Sequence, residues 1–295
     1  MAQLAAIARE LGALAGVRCA PQPERRVGGG SISTGYAWRC ETGLLFVKVA
    51  PREGSSAFTA ESEGLAALAA AGALRVPRVL ACGTTAQDAF LALEWLERGP
   101  AGERTEARLG QGLAALHRVT AARFGFARDN FIGATPQANG QLVSWPEFYR
   151  ERRLRPQLDL AVANGFGPLL GECGERLLEG VGALLGQHAC APSLLHGDLW
   201  GGNWFATADG EPAIFDPAVY YGDRETDLAM TQLFGGFGPR FYRAYAEAAP
   251  LPPAAAVRRD LYNLYHVLNH ANLFGGGYAG QARAMIERLL AEAHG

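Results

Sequence analysis

What this 295-residue chain lacks narrows its chemistry first. No stretch reaches the roughly 18 consecutive apolar residues of a membrane-spanning helix, and no basic segment followed by an apolar one marks a secretory leader. No Lys/Arg-rich block occurs, and 27 basic against 29 acidic residues leave a net charge of −2. Neither nucleic acid nor an anionic membrane surface is therefore an expected partner. Cysteine is sparse. Cys19, Cys40, Cys82, Cys173 and Cys190 form no C-x-x-C pair, so the sequence offers no zinc signature and no compact disulfide framework, and reduced thiols in a cytoplasm are expected. Repeats and low-complexity tracts are missing too.

What remains, 49% hydrophobic and 19% charged residues, is enough for a sizeable core in one large or two smaller domains. The periodicity changes along the chain. LAAIARELGAL places Leu4, Ile7, Leu11 and Leu14 at helical spacing. RVGGGSISTGYAWRCETGLLFVKVA reads as strand, glycine loop, strand, turn and strand. A helix follows over SAFTAESEGLAALAAAG, with Gly72 as its stop, and then two further strands up to Leu96. Beyond the linker ERGPAG the pattern is mainly helical. The reading is an α+β chain with a small antiparallel-sheet lobe and one main helix over 1–96, and a larger, mainly helical lobe over 97–295.

One short stretch breaks the helical pattern: LLHGDLWGGNW, residues 194–204. Its glycines forbid a comfortable helix, so polar side chains are held on a tight loop. Asn203 stands five residues after Asp198, and Asp216 follows in AIFDPA. This is the order of a kinase catalytic loop, in which an aspartate accepts a hydroxyl proton and an asparagine and a second aspartate hold magnesium. Hard oxygen donors of this type suit Mg²⁺ with a nucleotide's phosphates. Such chemistry also needs a cation and a backbone cradle upstream. Lys48, in the apolar strand LFVKVA, supplies the first; Glu61 on the next helix is its expected partner, with Glu63 as the fallback. Gly28, Gly29 and Gly30, followed by Ser31, supply the second. The loop fits neither a P-loop nor a dinucleotide fingerprint, because a strand follows it.

The motifs LLHGDLWGGN, IFDPAVYYGDRETDLAMTQLFGGF, LYNLYHVLNHANLFGGGY, VGGGSISTG and FVKV together resemble the fructosamine kinase family, within the aminoglycoside-phosphotransferase-like and protein-kinase-like group. The resemblance covers nearly the whole chain. It implies a bilobal kinase-like fold, ATP and Mg²⁺ as cofactors, and phosphorylation of the sugar 3-hydroxyl of ketosamines, free or on glycated proteins, which labilises the adduct and frees the amine. By matching positions, Asp198 would be the base, Asn203 and Asp216 the magnesium ligands, Lys48 the phosphate-binding cation, and Glu94, Trp95 and Leu96 the adenine hinge. Trp200, His270 and Asn272 are acceptor candidates, since sugars are gripped by an aromatic face plus a few polar groups. Members of the family often carry cysteine where this chain has Ser31, so redox control at that position is not expected.

Several polar residues have plainer readings. His196 reads as a loop-holding group, His117 as a helix-end or packing residue, and Asp227 as a residue that could brace the loops by capping the following helix, the cap being the simpler view. The segment FGFARDNFIGATPQANG, with Asn130, Gln137 and Asn139, is read either as a sugar-reading loop or as a surface connection. Rival functions are a phosphotransferase acting on an aminoglycoside or another small hydroxyl compound, and a catalytically silent nucleotide-binding module. A protein kinase fits least, since Gly197 stands where arginine would precede the base.

Overall fold

The computed structural model describes residues 2–29, 33–253 and 255–294. Contacts divide the chain into one unit of residues Met1–Thr105 with Trp204–Pro217, and a second of Glu106–Asn203 with Ala218–Gly295. The first unit thus runs beyond the break expected after Leu96 and takes back a later hairpin.

In the first unit, helix α1 (Ala2–Ala15) buries Ile7, Ala8 and Leu11 and stops at Gly16, whose φ of 68° is left-handed. Strands β1 (Arg25–Gly29), β2 (Thr34–Cys40) and β3 (Gly43–Pro51) form a meander, followed by α2 (Ser55–Ala71), β4 (Val79–Thr84) and β5 (Asp88–Glu94). The sheet is antiparallel in the order β1-β2-β3-β5-β4. Alternation along the strands sorts its two faces. Trp38, Val47, Phe90 and Ala92 cluster with Ile7 and Leu11 of α1. Lys48, one residue on from Val47 and paired with Leu91, therefore turns to the other face, where α2 packs with Phe58, Leu65 and Leu68 buried. Both the N-terminal helix α1 and the main helix α2 pack against this sheet.

A disulfide between Cys19 and Cys40 corrects the expectation of reduced thiols. The two cysteines are 21 positions apart and match no short motif; only the pairing of the segment after α1 with the end of β2 brings them together.

The second unit is helical. It contains α3 (Glu103–Leu116) from Glu106 onward, a small hairpin β6 (Asn130–Ile132) and β7 (Thr135–Gln137), α4 (Trp145–Tyr149), α5 (Arg155–Ala161) and α6 (Gly167–Leu185). The helical run WPEFYRERRLRPQLDLAV carries a π-helical turn over 150–154 just before Pro156. Proline has no N–H to continue the regular ladder. Strand β8 (Ser193–Leu195) leads into the His-Gly-Asp loop; β9 (Trp204–Ala206) and β10 (Pro212–Ile214) form the hairpin that belongs to the first unit. Strand β11 (Tyr220–Gly222) returns to pair antiparallel with β8, and α7 (Glu225–Leu233), α8 (Pro239–Ala248), α9 (Ala255–Phe274) and α10 (Tyr278–His294) complete the unit. Its core joins Leu177, Val181 and Leu185 of α6 to Leu264 and Leu268 of α9 and Ile286 and Leu289 of α10. Among the described residues, no helix is long and apolar enough to cross a membrane.

Candidate active site

The strand lysine has the partners that a buried charge requires. Lys48 is 8% exposed, and its Nζ donates to Glu61 Oε1 at 2.7 Å and to Asp216 Oδ1. Glu61, rather than the fallback Glu63, is thus the partner on α2. Burial opposes the ammonium, but the two carboxylates outweigh it and hold the Lys48 pKa above the ordinary lysine value. Burial pushes the Glu61 carboxyl up to about 7 against the pull of Lys48, and the negative charge of Asp216 adds to that rise. Two carboxyl groups thus share one ammonium.

Asp216 reaches this position from the end of the β9–β10 hairpin. Its φ of 55° makes it the one non-glycine residue with a positive φ among the described residues. A left-handed aspartate is uncommon and costs of order 1–3 kcal/mol, which the surrounding structure must offset. Beside it in the same unit lies a cavity of about 480 Å³, walled by Val27, Phe46, Leu93, Trp95, Leu96 and Phe215 and edged by Glu94 and Asp216. All three expected hinge residues therefore line one apolar pocket. The Glu94 side chain is committed to Arg75 and to the Arg78 amide at 3.2 Å. Of the glycine loop, Gly28 and Gly29 belong to β1, whereas Gly30 and Ser31 lie outside the described residues.

In the second unit the His-Gly-Asp loop is held by its own backbone. Gly197 has a φ of 81°, and a Cβ there would lie 2.0 Å from the Ala218 carbonyl oxygen, so only glycine fits. His196 is fully buried; its Nδ1 accepts the Asp198 amide at 3.3 Å, in keeping with the loop-holding reading. Asn203 Nδ2 donates to the Asp198 carbonyl at 2.8 Å and to Asp198 Oδ2 at 3.2 Å. These two donations fix the orientation of the Asn203 amide.

Asp227 is where the sequence reading fell short. It lies inside α7, and instead of capping that helix its carboxylate accepts the amides of His196 and Gly197, each at 2.8 Å. His117 Nε2 lies 3.2 Å from the same carboxylate, and its Nδ1 lies 2.8 Å from the Tyr245 hydroxyl. Burial alone would raise the Asp227 pKa, but the hydrogen bonds from His117 and Gly197 and the neighbouring imidazoles outweigh it and hold the carboxyl below the usual range. An acid in the first turn of a helix looks the same in sequence whether it caps that helix or reaches across to a loop.

The acceptor candidates separate. Trp200, 40% exposed, meets Phe234 edge-on at 6.4 Å, and Phe234 lies 4.8 Å from the His270 ring. Trp200 and His270 thus share an aromatic surface that begins two residues from Asp198. Asn272 is engaged elsewhere: its Nδ2 donates to the Gln157 carbonyl and side chain at 2.9 and 2.8 Å, and its oxygen accepts from Asn164. Asn130, Gln137 and Asn139 neither read sugar nor form a surface connection. They are buried and bonded to one another, and their amides hold the carbonyls of Ala218 and Val219 just after Asp216.

A buried strand lysine paired with a helix glutamate, an aspartate at the end of a hairpin, an apolar pocket at the end of β5 and a glycine-strained His-Gly-Asp loop define a phosphotransferase of the protein-kinase-like class. The fructosamine kinase family model matches residues 3–292. A probable ketoamine kinase of Synechocystis is 44% identical over 96% of this chain and 96% of its own. A chloroplastic protein-ribulosamine 3-kinase of Oryza sativa is 39% identical over 90% of this chain and 78% of its own. Among solved structures, a protein of Haemophilus somnus assigned as a fructosamine-3-kinase superposes with a TM-score of 0.89 at 28% identity, covering 97% of each chain. An aminoglycoside phosphotransferase, at 15% identity and a TM-score of 0.62, shares the fold alone. The chain belongs to the fructosamine kinase family.

Proposed function

We propose that this protein transfers the γ-phosphoryl group of ATP to the sugar 3-hydroxyl of a ketosamine, a step that labilises the sugar adduct and releases the amine. The reading rests above all on the Lys48–Glu61–Asp216 cluster beside the apolar pocket. It is supported by family membership and by relatives named as ketoamine and ribulosamine kinases. The pocket wall at Trp95 and Leu96 takes the adenine, and the Lys48 ammonium, held in place by Glu61, binds the phosphates. Asp198 accepts the proton of the acceptor hydroxyl and fixes the attacking oxygen in line. The donor set fits magnesium: a carboxylate on Asp216 and an amide oxygen on Asn203 are the hard ligands it prefers. When bound, Mg²⁺ neutralises phosphate charge and polarises the transferring group. No covalent enzyme intermediate is required, because positioning and electrostatics carry the reaction.

The exposed face of Trp200, extended by Phe234 and His270, supports the acceptor sugar. Both free ketosamines and glycated protein side chains fit this reading. A cytoplasmic location belongs to the proposal, and the Cys19–Cys40 disulfide is the observation that pulls against it. The test is incubation with Mg-ATP and a panel of fructosamine, ribulosamine and aminoglycoside acceptors, with Asp198→Asn as control. Ketosamine-dependent ADP release that the substitution abolishes is expected. Turnover with an aminoglycoside alone, or undiminished turnover in the variant, would overturn the assignment.

A further inference from the structure

The second unit holds a group of side chains with metal-ligand chemistry that phosphoryl transfer does not use. His188 and Cys190 lie on the segment between α6 and β8, and Asp223 directly follows β11. One ligand atom from each, an imidazole nitrogen, the thiol sulfur and a carboxylate oxygen, all fall within 4.8 Å of one another. His188 Nε2 already meets Asp223 Oδ2 at 2.7 Å. We propose that His188, Cys190 and Asp223 bind a divalent transition-metal ion of zinc type, which fastens the outer ends of β8 and β11.

The donor set selects the ion. One sulfur, one nitrogen and one oxygen suit borderline-soft zinc, whereas magnesium and calcium call for oxygen throughout. Tetrahedral bonds of about 2.0–2.3 Å place ligand atoms roughly 3.3–3.8 Å apart, so the side chains need to shift by about an ångström. A cavity of about 280 Å³, to which all three ligands contribute, admits the water that completes the tetrahedron. The groups around the site orient Asp223: Tyr262 donates its hydroxyl to Oδ2 at 2.6 Å, and the Glu225 amide donates to Oδ1 at 3.1 Å. Glu225 lies 3.8 Å from His188 Nε2 but is held by the Arg258 guanidinium at 2.8 and 2.9 Å, which keeps it outside the ligand shell. Charge also balances. Asp223, Glu225 and a Cys190 thiolate carry three negative charges, and Arg258 with a divalent ion supplies three positive ones. On binding, the Cys190 thiol gives its proton to solvent as the sulfur becomes a thiolate ligand.

The place of the site gives it a purpose. Ser193 of β8 pairs with Gly222 of β11, and β8 runs directly into His196 and Asp198. An ion joining residues 188–190 to 223 ties together the two short strands from which the catalytic loop emerges. A sequence search for paired cysteines passes over this set, which draws one ligand of each kind from two distant segments.

The full-length protein, freed of adventitious metal, is titrated with Co²⁺ and followed by absorption. Thiolate-to-cobalt charge transfer in the near ultraviolet, saturating at one ion per chain and reversed by Zn²⁺ but not by Mg²⁺, is expected. The band should vanish in Cys190→Ser, and His188→Ala should weaken binding at least tenfold. No thiolate band in the wild-type protein, or an undiminished band in Cys190→Ser, would overturn the proposal. The wild-type spectrum stands even where a variant fails to fold.

Discussion

Asp227→Asn removes one charge from the second unit while keeping its shape, and the structure fixes what this costs. The carboxylate accepts the His196 and Gly197 amides on separate oxygens and also lies 3.2 Å from His117 Nε2. An asparagine has one acceptor oxygen, so one buried amide is left facing an NH₂ group. Stranding a buried donor costs about 1–3 kcal/mol, and hydrogen bonds to a charged group are worth about 1.5–3 kcal/mol where neutral ones are worth about 1. Relief from burying a charge works the other way. The direction of the Asp227 shift decides between them: its pKa lies below the ordinary value despite complete burial, so the fold favours the ionised form. We therefore expect a loss of about 3 kcal/mol in urea unfolding with an unchanged m-value, read by tryptophan fluorescence. Asp198 is displaced as its loop loosens, so kcat falls by at least tenfold while the KM for ATP holds, because the Lys48 pocket is untouched. Wild-type kcat together with a stability change inside 0.5 kcal/mol would refute the reasoning.

Other perturbations give distinct readouts. Glu61→Ala removes the Oε1 acceptor of Lys48; losing a charge-assisted bond of about 1.5–3 kcal/mol lowers kcat/KM for ATP roughly 10- to 100-fold, measured by coupled ADP assay. Gly197→Ala drives a Cβ to 2.0 Å from the Ala218 carbonyl at a left-handed φ, so activity is lost, and loss without a change in far-ultraviolet circular dichroism places the damage in the loop. His266 is buried and its pKa lowered to about 3 by burial first and then by His270. Unfolded, it takes up its proton near pH 6.5. Stability is therefore full above that pH and declines by about 1.4 kcal/mol per pH unit between roughly 6 and 3, a slope that His266→Gln should reduce in acid unfolding.

The parts legible in the sequence were those in which one residue type and its neighbours carry the whole signal. Lys48 stood out because a lysine inside LLFVKV must be exposed or paired, and its partner lay one helix on. The Asp198–Asn203 spacing and the breaks at Gly197, Gly201 and Gly202 marked the loop before any fold was known. What escaped depends on distance along the chain. Asp227 acts on amides some thirty positions away, and Asn130 on a carbonyl 89 positions away. Cys19 meets Cys40 only once the meander forms, and Asn272 is captured by Gln157 from another helix. Periodicity within one element carries no information about such pairings. Nor could it show that the hairpin over 204–214 returns to the first unit, because two three-residue strands leave almost no pattern to read.

The most direct measurement is phosphorus NMR of the product formed from Mg-ATP and a fructosamine. A single phosphomonoester whose phosphorus couples to the proton on sugar carbon 3, followed by release of the free amine, is the predicted result. Inorganic phosphate alone, or phosphate on a different hydroxyl, would contradict the account.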